Sequence, residues 1–292
     1  VELSSFDAAA IAAKALTYAF SLTASGGAIF ILAFFGVLRA GERAQIVKVS
    51  VALAIFAIVF TLLRLPIIAA TLGGDFFSMM DFPLLQFAIE SSEGRAAGVR
   101  VLGLVLILLL LRPSAAASAG AVLGAVLVSV SFALTGHAPS LDRGVLPQAL
   151  VALHLLAASY WLGAFFPLRY VTYRLDPPGV AEVMKRFGDV ALYIVGALVA
   201  VGIVLLWIML GTPLVLFDSD YGRAVVVKLL FVAGLLGLAT VNKSVLTPAL
   251  ARGDISALQR LRNSIMAEMA MAGLILVVTA MFTTVVGPPA LE

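Results

Sequence analysis

Cysteine is absent from this chain, charge is scarce, and histidine and tryptophan occur only twice each. Each shortage excludes something. Without cysteine there are no disulfides, thiolate metal sites or redox dithiols. Charged residues make up 12% of the chain, where an ordinary soluble domain carries about 25%. What fills the space is apolar: 62% of the residues are hydrophobic. They are gathered into stretches longer than the roughly 18 residues a helix needs to cross about 30 Å of hydrocarbon. The chain reads as an integral membrane protein of the all-α class, a polytopic helix bundle. The apolar run from Ala8 is too long, and too poor in basic residues ahead of it, for a short cleavable leader. Val1 is compatible with a trimmed start, and Leu291-Glu292 with a cloning scar.

The spacing predicts eight spans in one transmembrane domain over residues 1–292, at about 8–38, 44–72, 96–112, 114–136, 146–168, 184–211, 221–248 and 258–286. The connections alternate in sign. Those after the first, third, fifth and seventh spans carry Arg39, Arg43, Lys48, Arg112, Arg169, Arg174, Lys185, Arg186, Lys243, Arg252, Arg260 and Arg262, twelve of the nineteen basic residues. The N-terminus and the other connections hold Glu2, Asp7, Asp75, Asp81, Glu90, Glu93, Asp142, Asp218 and Asp220. Under the positive-inside rule the basic loops face the cytoplasm, and both termini lie outside.

Two of the outer connections have the composition of structured segments. The stretch 73–94, GGDFFSMMDFPLLQFAIESSEG, predicts a helix too short to span that lies on the outer surface. The stretch 211–222, GTPLVLFDSDYG, is a shorter version. Within the spans, Gly120 and Gly124 form a small-residue face for close helix approach, and Pro66 is expected to kink the second span. No internal repeat supports an inverted-repeat transporter.

Ionisable groups in hydrocarbon are costly and mark function by default. His154 lies about eight residues into the fifth span, hence about 12 Å deep at 1.5 Å per residue. His137 closes the fourth span, and a short connection makes the two helices neighbours, so both imidazoles can face one outer cavity. Imidazole binds copper, zinc or haem iron through one nitrogen while the other is held by a neighbour. The bland alternative is that His154 hydrogen-bonds across helices and His137 is a wet loop residue. Trp161, seven residues beyond His154, shares its face and reads best as packing.

Methionine is the other soft donor. Met80, Met209 and Met281 fall toward the outer side, and thioether with imidazole selects Cu(I) over Cu(II). As a group the methionines also suit gap-filling. A second set, Lys14, Arg64, Arg100, Arg223 and Lys228, occupies the outer parts of spans. Snorkelling to phosphates accounts for such residues. If they converge instead, they suit an anionic group. On the inner side, Asn242 ends the seventh span and Glu268 enters the eighth. The simple reading pairs Glu268 with Arg260 or Arg262, and the sharper one makes it a proton or metal relay.

The ordered pieces GHAP (136–139), LHLLAASYWLGA (153–164), RFGDVAL (186–192), YGRAVVVKLLF (221–231), NKSVLTPAL (242–250), LQRLRNSIMAE (258–268) and TAMFTTVVGPP (279–289) resemble the copper resistance protein D family. KALTYAFSLTASGGAIF (14–30) resembles the family's opening helix. One departure is WLGA, where such proteins often read WLGG.

The resemblance implies a bacterial inner-membrane protein that handles copper, usually as an importer and not an enzyme. It is commonly partnered by a periplasmic copper-binding protein of the CopC type. It points to His137 and His154 as copper ligands, and to Trp161, Asn242 and Glu268 as matched positions. No ATP-binding loop is evident. The rival class is a haem- or quinone-linked electron-transfer protein, with His137 and His154 as haem ligands and the outer cations on propionates.

Overall fold

The computed structural model of the protein describes residues 5–135, 145–210 and 219–285. Among these, ten α-helices follow one another: α1 (Ser5–Ala33), α2 (Ala40–Gly73), α3 (Phe82–Glu90), α4 (Ser92–Leu110), α5 (Ala115–Ala133), α6 (Leu146–Val171), α7 (Pro177–Leu210), α8 (Asp220–Val241), α9 (Thr247–Ala251) and α10 (Ser256–Val285). A 3₁₀ turn, Phe77–Met80, precedes α3, and a π-turn, Asn242–Leu246, joins α8 to α9 without a break. Each of the eight expected spans is a helix. Seven of the described helical stretches are long and apolar enough to cross a membrane, with Tyr221–Ala251 counting as one. The remaining expected span, α4, carries Glu93, Arg95 and Arg100 within its 19 residues.

Local chemistry sets the boundaries. α2 starts at Arg39, whose backbone N–H donates to the Glu42 carboxylate at 2.7 Å, and runs through Pro66. It stops at Gly74, whose φ of 80° is left-handed and free of penalty only for glycine. Asp81, Ser91 and Ser219 cap α3, α4 and α8 by accepting from the backbone N–H groups of Leu84, Gly94 and Gly222. The helix expected in 73–94 is α3, packed on α2 and α4 beside the 3₁₀ turn. Its Phe82 and Phe87 are exposed. The segment 211–218 and His137 lie outside the described residues.

The helices run alternately between two ends, one holding the start of α1 and the end of α10, the other the basic connections, here called the terminus end and the basic end. In a bilayer the driving force between helices is packing, since lipid tails are as apolar as leucine, and small residues allow the closest packing. Two seams show this. A Cβ on Gly26 of α1 would stand 2.7 Å from the Gly163 Cα of α6, and one on Gly103 of α4 would stand 2.6 Å from the Gly124 carbonyl oxygen of α5. The glycine stripe of α5 therefore meets α4. The alanine of WLGA, Ala164, is fully buried. One apolar core, including Phe30, Phe34, Trp161, Leu250 and Ile265, extends from α1 to α10.

Buried hydroxyls mostly return to their own helices. Thr17, Ser129 and Ser159 donate to carbonyl oxygens four residues back, which satisfies them where no water competes. Among the exceptions, the hydroxyl of Ser264 belongs to a site described next.

Candidate functional site

His154 sits on α6, and its face is set by the helix register. Its imidazole lies against Gly202 of α7, where a Cβ would come within 3.2 Å of Cε1 and 3.6 Å of Nδ1. The missing side chain makes the space. Nδ1 is buried without a well-aligned hydrogen-bond partner, and the backbone of Leu198, one turn before Gly202 on α7, is the polar group that acts on the ring. Lys228 of α8 lies close enough to act on the ring electrostatically. It also sits 5.8 Å from the centre of the Phe282 ring on α10. Trp161, two turns further along the same α6 stripe, is buried in the core.

The methionine positions scatter. Met80 is 85% exposed on the 3₁₀ turn, which packs on α2, and Met281 is 40% exposed on α10. Met209 falls on α7 seven residues beyond Gly202, hence on the same stripe. The His137 expectation falls outside the described residues. No group of three or more histidine, aspartate or glutamate side chains forms a metal cluster among the described residues.

A second buried polar site lies further toward the basic end. Asn242 does not end a span. It opens the π-turn, and the helix continues to Ala251. A π-turn inserts one extra residue and often marks a functional position. Here the Thr247 hydroxyl donates to the Asn242 carbonyl oxygen at 2.7 Å. The Asn242 side chain reaches the carboxylate of Glu268 on α10.

Both side chains are almost fully buried. Asn242 Oδ1, Glu268 Oε1 and the hydroxyl of Ser264, one turn before Glu268, all lack hydrogen-bond partners. The expected pairing of Glu268 with a basic residue is overturned. Arg260 pairs with Asp254 at 2.9 Å, and Arg262 donates to the backbone oxygen and hydroxyl of Thr172 while lying over Tyr173. Glu268 is twelve residues into a thirty-residue helix, about 18 Å along at 1.5 Å per residue. Both arginines of the first turns are engaged by these other partners instead.

The outer cations divide. Lys14, Arg64 and Arg100 converge with Glu93 near the terminus end, whereas Lys228 stands by His154. Arg100 is 1% exposed, so it does not snorkel. Sequence reasoning grouped these residues by depth and left open which of them meet.

The sequence model for copper resistance protein D matches residues 181–282, and that for the copper resistance protein D-like N-terminal domain matches residues 5–147. The chain belongs to the copper resistance protein D family. Within it, Asn242, Glu268, Met209 and Met281 lie in the first of these matches, and His137 in the second. His154 lies in the stretch between the two. The chain is also 29% identical, over 161 residues, to the copper transport protein CutJ of Bacillus subtilis (strain 168). That match takes in 54% of this chain but 28% of CutJ, so the chain spans little more than a quarter of that relative's length. No solved structure matches. Family and relative together support a copper-handling membrane protein.

Proposed function

We propose that this member of the copper resistance protein D family accepts copper at the terminus end and passes it toward the basic end, as an importer in a bacterial inner membrane. In this reading residues 1–292 act as one transmembrane unit. Both termini face the periplasm, and the basic connections face the cytoplasm. The cargo is Cu(I). A neutral imidazole suits it, and the sulfur available to this cysteine-free chain is methionine thioether.

One observation carries the reading: His154 Nδ1 is buried without a well-aligned hydrogen-bond partner, in a ring packed directly against Gly202. A buried polar atom without a partner costs about 1–3 kcal/mol, a cost that binding a metal removes. His137 would receive the ion nearer the surface, and Met209, about 10 Å beyond Gly202 along α7, would be a soft donor on the way in. Met80 and Met281 are the reserve donors. A periplasmic CopC-type protein would supply the ion by ligand exchange.

Glu268 and Asn242 form the second station. A carboxylate oxygen buried without a partner holds a proton or a cation. The ion would move from soft donors to oxygen donors as it approaches the basic end, or a proton on Glu268 would couple to its passage.

The test is Cu(I) titration of the purified protein against a chromophoric competitor, with His154→Ala compared to wild type. Loss of the tightest site with the fold intact supports the reading, and unchanged binding sinks it. A visible spectrum of the protein as purified separates the haem rival. A Soret band that sharpens on reduction would move His137 and His154 to haem ligation.

A further inference from the structure

We propose that the terminus end holds a binding site for a phosphate-class anion, in a cavity of about 260 Å³ between α1, α2, α4 and α10. The site lies on other helices than His154 and does not depend on the copper reading. Its walls include Lys14, Arg64, Glu93, Thr283 and Thr284, with Ile67, Ile68 and Leu72 on the α2 side.

The argument is a charge balance. Arg64 is neutralised by Glu93 at 3.0 Å. Lys14 donates to the backbone oxygen of Thr283 at 2.9 Å, a neutral acceptor. Arg100 lies seven residues after Glu93, on the same stripe of α4. Its Nε donates to the Ser131 hydroxyl at 3.1 Å, and its guanidinium lies 3.9 Å from the centre of the Phe132 ring. Tyr18 stacks on that same ring. Arg100 does not itself line the cavity, and its Nη2 is buried with no hydrogen-bond partner. Lys14, Arg64, Glu93 and Arg100 are close enough to act on one another.

Among the described residues, the three cations Lys14, Arg64 and Arg100 therefore act together with the carboxylate of Glu93 in a region of low dielectric. Neutral partners soften a buried charge but do not cancel it, and an uncompensated charge inside a bundle costs several kcal/mol. An anion of one or two charges in the cavity restores the balance.

The remaining wall indicates what the anion is attached to. Ile67 and Ile68 continue into Leu72, which is 53% exposed on the outside of the bundle. A cationic floor with an apolar wall open to the surface fits a phosphodiester headgroup with its glycerol and upper acyl chain against α2. Free phosphate would use the same cations and leave that wall uncovered.

The experiment is native mass spectrometry on the full chain, stripped of lipid in neutral detergent, titrated with phosphatidylglycerol and separately with inorganic phosphate. One phosphatidylglycerol per chain is expected. Affinity should fall at least about tenfold in Lys14→Gln, equivalent to about 1.4 kcal/mol, and recover in Lys14→Arg. Thr71→Phe keeps every charge and narrows the cavity from an exposed position, so it should weaken binding even if Lys14→Gln fails to fold. Displacement of the lipid by millimolar phosphate identifies the free anion as sufficient, and its failure identifies the lipid. Both outcomes uphold the site. Undiminished binding in the folded variants, or no binding of either probe by wild type, overturns it.

Discussion

Gly202 stands opposite His154, with the position of its absent Cβ 3.2 Å from the imidazole Cε1. The small residue and the histidine therefore act as one feature, in which the glycine leaves the volume the ring occupies. Gly202→Leu is expected to fill that volume and turn the imidazole. Cu(I) affinity should fall at least about tenfold, or about 1.4 kcal/mol, with helix content unchanged by circular dichroism. Wild-type affinity in a folded Gly202→Leu would separate His154 from the metal.

Asn242 and Glu268 predict a different signature. Glu268→Gln keeps the volume and the contact to Asn242 but removes the charge. Replacing a buried charged group by a neutral one is often neutral or stabilising, so the thermal midpoint should hold or rise. Copper passage into proteoliposomes should nevertheless drop sharply, while Cu(I) binding at His154 is retained. Passage at the wild-type rate would assign Glu268 a packing role only.

The α1–α6 seam makes a stability prediction. A methyl group at Gly26 would stand 2.7 Å from the Gly163 Cα, backbone that cannot swing aside, whereas one at Gly237 meets nothing within 4 Å. Gly26→Ala should destabilise by about 1–3 kcal/mol or more through overpacking. Gly237→Ala should stabilise by about 0.5–1 kcal/mol through the usual helical advantage of alanine. Thermal unfolding in detergent reads both, and equal midpoints would refute the seam.

Outside the membrane, Asp254 shapes the turn into α10. The Ser256 hydroxyl donates to its carboxylate at 2.6 Å and the Ser256 backbone N–H at 2.9 Å. These bonds, chiefly the hydroxyl, with Arg260 beyond, hold the carboxyl below its ordinary value of 3.8. A group with a lowered folded pKa stabilises above its unfolded value and loses that contribution as pH falls through the folded one. Hydrogen exchange at the Ser256 amide should therefore remain protected near neutrality and lose protection only below about pH 4. Asp254→Asn should abolish that pH dependence. A pH-independent amide in the wild type would contradict the turn's assignment.

Much of the bundle was legible because hydropathy and helical period act locally. Every expected span is a helix, and the outer-surface helix in 73–94 is present as α3. Glu268 shows the limit of such reading. Nearness in the chain to Arg260 and Arg262 suggests a pairing that the tertiary structure does not make. The arginines instead turn to Asp254 and Thr172, within reach of the first turns of α10. Asn242 shows another limit, because a π-turn inside a continuous helix leaves the hydropathy pattern unchanged. Donor chemistry alone does not place the methionines, and Met80 and Met281 are exposed on separate elements.

By itself, the sequence determined the class of the protein, its solvent and the alternation of its helices. These follow from the free energy of moving each segment between water and hydrocarbon, which depends on composition and length. Only the tertiary structure decided which polar atoms are left without partners. His154 Nδ1, the Asn242–Glu268 pair and Arg100 stand out because helices packed at glycine seams bring some polar groups together and close others off from water. That selection depends on helix rotation and depth, which no single segment encodes.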